Sequence, residues 1–101
     1  MVKILLCCAA GMSTSMVVKK MQEAATSKSI EAEIKAVGLD EFENCLPNFD
    51  IVLLGPQVKY KEADFSASAA KQNKKVKVIN SMDYGMMKGD KILDDAIAEL
   101  A

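Results

Sequence analysis

Cys8-Ala9-Ala10-Gly11-Met12-Ser13-Thr14-Ser15 follows directly on an apolar run, Val2 to Cys7. The order places a thiol where a buried strand turns into a helix. Small residues around it let successive backbone N–H groups converge on one point, a geometry that favours an anion. The anion can be a thiolate or a phosphate. Helix N-termini and positive neighbours lower a cysteine pKa from about 8.5, so the amides around Cys8 favour the nucleophilic form. After a transfer, the same donors would hold the oxygens of a thiophosphate. The hydroxyls of Ser13, Thr14 and Ser15 can add to them, and Gly11 permits close backbone approach. Phosphoryl transfer needs mainly positioning and charge stabilisation, so a ring of dipoles can suffice without a metal or cofactor.

The absences narrow the chemistry further. The chain has no histidine, and all 13 of its Lys+Arg residues are lysine. A cysteine phosphatase clamps its phosphate with an arginine where this chain has Thr14. It also needs an acid for the leaving group and a base for water. The candidate acids Asp50, Asp64 and Asp83 form no recognisable catalytic pair. A phosphocysteine here would survive water and wait for a better acceptor. That is the behaviour of a carrier. The competing readings are a low-molecular-weight cysteine phosphatase or arsenate-reductase-like enzyme, and a receiver-type interaction module. The receiver would need acidic residues where Cys8 and Gly55 stand.

These residues must be positioned by a scaffold, and the hydropathy pattern supplies one. Lys3 to Cys7 is nearly all apolar, as in a parallel strand covered on both faces. Met16, Val17, Met21, Ala24 and Ala25 recur at helical spacing from about 13 to 28, with Ser13 or Thr14 as N-cap. Residues 30–36 alternate with period two and predict an edge strand. A short helical turn over 40–46 is expected to end before Pro47. Ile51 to Leu54 reads as a central strand ending at Gly55-Pro56-Gln57. A helix follows over about 60–73, a strand over 76–79, a loop over 80–88, and a helix over 90–100 with Ile92, Leu93, Ala96, Ile97 and Leu100 inward. The expected fold class is α/β: one four-stranded parallel sheet, order 2-1-3-4, with helices on both faces. Its topological switch lies between the first and third strands, where open α/β sheets bind ligands. The Cys8–Ser15 and Gly55–Gln57 loops both fall there.

The other sulfur residues take plainer roles. Cys7 is expected in the core, Cys45 as packing or an idle thiol, and Met16 and Met21 in the core. Met12, Met86 and Met87 fall in loops at the active end, where packing and docking are both open.

The 101 residues are read as one domain, 1–101. A formal charge of −1 offers no footprint for nucleic acid or anionic membrane. The Lys74–Lys77 cluster is read as a solvated turn. Three cysteines, two of them adjacent, do not make a disulfide framework, and the lack of histidine argues against zinc. No apolar run approaches the ~20 residues of a membrane span, and no signal-peptide pattern precedes the first strand. A cytoplasmic location is expected.

The Cys8–Ser15 string, with the strand before it, resembles the phosphocysteine loop of IIB components of the bacterial phosphoenolpyruvate-dependent sugar phosphotransferase system, in the lactose/cellobiose/chitobiose class. Val52–Val58, Val78–Ser81 and Tyr84-Gly85 extend the resemblance over essentially the whole chain. It implies that Cys8 accepts a phosphoryl group from a phosphohistidine of the IIA component. Cys8 would then pass it to a sugar, such as cellobiose, chitobiose or lactose, held by the membrane component IIC. It also implies phosphate contacts from Ala9, Ala10, Gly11, Met12, Ser13, Thr14 and Ser15, with Gln57 as a neighbour. Cys7 has no part in the pattern. A relay that docks two partners in turn is expected to be a monomer.

Overall fold

A computed structural model gives the protein over residues 1–8 and 12–100, main chain only for Met12, Ser13 and Thr14. Four parallel strands, β1 (Val2–Cys7), β2 (Ala32–Val37), β3 (Ile51–Leu54) and β4 (Lys75–Val78), form one sheet in the order β2-β1-β3-β4. The expected order holds, and the reason is visible in the burial. Ile4, Leu5 and Leu6 of β1 and all four residues of β3 are buried on both faces. In β2, Ile34 is buried while its neighbours Glu33 and Lys35 are exposed, so this strand can sit only at an edge.

One face is covered by two continuous helices, α1 (Met12–Ser27) and α5 (Gly89–Leu100), over Ile4, Leu6, Ile34, Ile51 and Leu53. Gly89 makes their contact close: a Cβ there would lie 2.4 Å from the Lys20 carbonyl carbon and 2.5 Å from the Met21 nitrogen. The opposite face carries α2 (Phe42–Cys45), set between 3-10 turns at Leu39–Glu41 and Leu46–Asn48, and α3 (Glu62–Ala70). Phe42 and Phe65 stack at 3.9 Å between centroids and join α2 to α3.

Several expectations are corrected. α1 begins at Met12, so Ser13 and Thr14 lie in its first turn and are not its cap. Met16 is 45% exposed while Val17, Met21 and Ala25 take the core positions. The turn before Pro47 continues through it as a 3-10 turn, since proline is tolerated where its missing N–H is an orphan anyway. The helix expected from about 60 starts as a 3-10 segment, Pro56–Lys61, kinked at Val58, before α3 proper. The supposed loop after β4 contains a helical turn, α4 (Ser81–Gly85), capped by Asn80, whose Oδ1 accepts from the N–H of Met82 (2.9 Å) and of Asp83 (3.1 Å). Leu100 is exposed at the end of α5. The lysine cluster is not simply solvated: Lys75 donates to the Glu99 carbonyl at 2.6 Å and Lys77 pairs with the Glu99 carboxylate at 3.1 Å. These cations complement the C-terminal end of α5.

Candidate functional site

Cys8 follows the last residue of the central strand β1, whose ladder partners at that end are Val37 of β2 and Leu54 of β3. Its N–H donates to the Val37 carbonyl at 3.3 Å, and the Gly55 N–H donates to the Cys7 carbonyl at 3.0 Å. The peptide between Cys7 and Cys8 is thus fixed on both sides, at the carboxyl edge where the strand order reverses. Four residues further on, the sixteen-residue α1 begins, and its N-terminal end carries the partial positive charge of unsatisfied N–H groups. Cys8 is 4% exposed.

Gly55 decides how closely the two loops approach. A Cβ on it would lie 3.1 Å from the Cys8 Cβ and 2.6 Å from the Gln57 Oε1. Cys8 and the Gln57 amide therefore flank one point above Gly55, which has room for them only because it lacks a side chain. Of the remaining expected site residues, Ser15 is exposed on α1. Ala9, Ala10 and Gly11, and the side chains of Met12, Ser13 and Thr14, lie outside the described residues.

The two adjacent thiols differ in state. Cys7 points into the core, as expected, and burial pushes its pKa up to about 12, with smaller contributions from Cys45 and Cys8. It stays a neutral thiol at physiological pH, and a thiol is a poor nucleophile.

The candidate acids do not gather around Cys8. The Asp50 carboxylate accepts from the Lys3 N–H at 2.9 Å, at the opposite end of the strands, and Asp64 is exposed on α3. Asp83 lies at the right end but is 94% buried in α4. It lines a cavity of about 10 Å³, room for one water, together with Lys77, Asn80 and Asp95. Among the described residues no group of three or more potential ligands could hold a metal. Asn80 was missed as a structural residue of this rim. The signal was present, an Asn followed three residues later by an acidic side chain, the usual form of a helix start.

Residues 3–95 match the family model for the lactose/cellobiose-specific IIB subunit of the phosphotransferase system. The chain belongs to this family. It is a IIB component of the lactose/cellobiose type, a phosphotransferase of the sugar-transport system in which IIB components work with IIA and IIC partners. It is 44% identical over 98 residues to an oligo-β-mannoside-specific EIIB component of Bacillus subtilis, covering 97% of this chain and 95% of the relative. A galactose-specific and a cellobiose-specific EIIB component, both of Lactococcus lactis, are each 43% identical, with 89% of this chain and 88% of each relative covered. Relatives named for different sugars thus match this IIB chain at nearly the same identity. Among solved structures, the lactose-specific IIB domain of Streptococcus pneumoniae superposes with a TM-score of 0.87 at 16% identity, covering 96% and 95% of the two chains. The cellobiose-specific IIB protein of Borrelia burgdorferi gives 0.79 at 38% identity, covering 96% and 89%. The first likeness speaks for the fold alone. No described helix of this IIB component is long and apolar enough to cross a membrane.

Proposed function

We propose that Cys8 is the phosphoryl carrier of this IIB component. Its thiolate attacks the phosphorus of a phosphohistidine on the IIA partner; the P–N bond breaks as the S–P bond forms. In the second step a hydroxyl of a sugar held by IIC attacks the phosphocysteine, and Cys8 leaves as a thiolate. The loop from Ala9 to Ser15 would supply the donors to the phosphate, and Gln57 would stand beside it. A β-linked disaccharide of the cellobiose, chitobiose or lactose kind is the acceptor in this reading, which places the protein in the cytoplasm as a monomer.

The observation that carries the reading is the position of Cys8. Its N–H is held by β2 and the Cys7 carbonyl before it by Gly55, at the carboxyl edge of the sheet ahead of the α1 N-terminus, while Cys7 beside it is kept protonated. Nothing equivalent supports hydrolysis, since the chain has no arginine to clamp a phosphate and no histidine to activate water. The test is to incubate the protein with phosphoenolpyruvate and the upstream carriers and to locate the phosphate by mass spectrometry. Cys8→Ser should abolish thiol-linked phosphate and Cys7→Ser should leave it largely intact. Equal uptake by the Cys8→Ser protein overturns the assignment.

A further inference from the structure

The proposed transfer uses one thiol, yet three share one apolar cluster. Cys7 and Cys8 are buried in it, and the half-buried Cys45 packs against it. Cys45 closes the single turn of α2, and Phe42 and Leu46 on either side along that turn are both fully buried in the same cluster. The turn therefore brings Cys45 to the sheet face that carries Cys7. Cys7 belongs to the cluster that Cys45 packs against on this face. Cys45 is also the most accessible of the three, the other two being buried. α2 is four residues long and bounded by 3-10 turns, so a local opening there costs far less than one in α1.

We infer that Cys45 is a site of exchange with low-molecular-weight disulfides such as glutathione disulfide, and that it passes the bridge inward to Cys7, tying α2 to the end of β1. The Cys45 thiolate attacks one sulfur of glutathione disulfide; that S–S bond breaks and one glutathione leaves as a thiolate. Cys7 then gives up its proton and attacks the Cys45 sulfur, and the second glutathione leaves. Two protein thiols are oxidised to one disulfide, and glutathione disulfide is reduced to two glutathiones. The second step is slow because Cys7 ionises only at high pH, so the bridge responds to sustained oxidation. Drawing Cys7 toward α2 displaces Cys8, the next residue. That consequence, unlike the bridge itself, rests on the reading of Cys8 as the phosphoryl acceptor.

The test treats the whole chain with glutathione disulfide, blocks remaining thiols with iodoacetamide and maps peptides by mass spectrometry. Before blocking, the expected product is lighter by two hydrogen atoms; after it, fragmentation should place the link to Cys45 on Cys7 and the block on Cys8. Cys7→Ser should stop at glutathione on Cys45, and Cys45→Ser should give no bridge. Oxidation should slow phosphate uptake by the wild type on the order of 100-fold, the scale of displacing a nucleophile by about 1 Å. Dithiothreitol should restore it, and Cys45→Ser should be unaffected. Absence of a Cys7–Cys45 peptide, or a bridge between another pair, overturns the inference. A bridge with unchanged uptake overturns the silencing. Reduced protein that takes up no phosphate would instead count against the role given to Cys8.

Discussion

The two faces of the sheet are built differently. Over Ile4 and Leu6, α1 and α5 run as helices of sixteen and twelve residues, and Gly89 lets one backbone touch the other. Over Leu5 and Cys7, the cover is α3 and a chain of single turns around α2, held by buried Phe42 and Leu46 and by the Phe42–Phe65 stack. All three thiols pack on this second face. The difference teaches that the long-helix face is scaffold, setting where β1 ends and where α1 starts. The short-turn face has no helix as long as α1 or α5, and it is the face that holds the three cysteines.

Phe42→Ala should break the second face most severely. Replacing a fully buried phenylalanine by alanine costs about 3–5 kcal/mol, measurable by urea unfolding. Native-state hydrogen exchange should show residues 39–48 opening well before the α1 amides. Equal loss of protection in α1 would mean that the two faces are a single cooperative unit.

Gly89→Ala probes the first face. The added methyl meets the α1 backbone at Lys20 and Met21, which cannot yield as a side-chain tip can. Overpacking of this kind costs roughly 1–3 kcal/mol, and here α5 amides should lose protection while residues 39–48 keep theirs.

A smaller loss, about 1 kcal/mol, is expected for Asn80→Ala, which removes the acceptor for two N–H groups at the start of α4. Asn80→Asp should restore most of it in the same unfolding measurement.

The last effect is read only at alkaline pH. Cys7 is held protonated in the folded protein up to about pH 12, whereas its ordinary value is 9.0. Between these values the unfolded chain releases the Cys7 proton and the folded chain keeps it, so stability falls as pH rises through that window. Below pH 9 the contribution is fully present. Stability of Cys7→Ala against pH should therefore decline less steeply than wild type between about pH 9 and 12. Identical slopes would show that Cys7 is not held protonated on this face.

Much of the scaffold was legible because strands announce themselves through burial. An all-apolar Ile51–Leu54 can only be central, and an alternating 30–36 can only be an edge, so the strand order followed. Helix ends were harder. α1, α3 and α4 are followed by Ser29, Asn73 and Met87 at positive φ, and none of the three is the glycine that usually marks such a stop. Met16 misled for a related reason. A helix one residue longer at its start still offers the same apolar set, and only the packing of α5 against α1 shows which members turn inward.

By itself the sequence determined the strand order, the thiol at the end of the first strand and the lack of any arginine or histidine to make that thiol hydrolytic. These follow from local pattern and residue chemistry, which need no knowledge of neighbours. The tertiary structure alone decided that Gly55 lies against Cys8, that Cys7 remains protonated and that Cys45 comes to the same face. Each depends on residues far apart in the chain, and proximity, burial and the charge state they impose exist only once the sheet has brought those residues together.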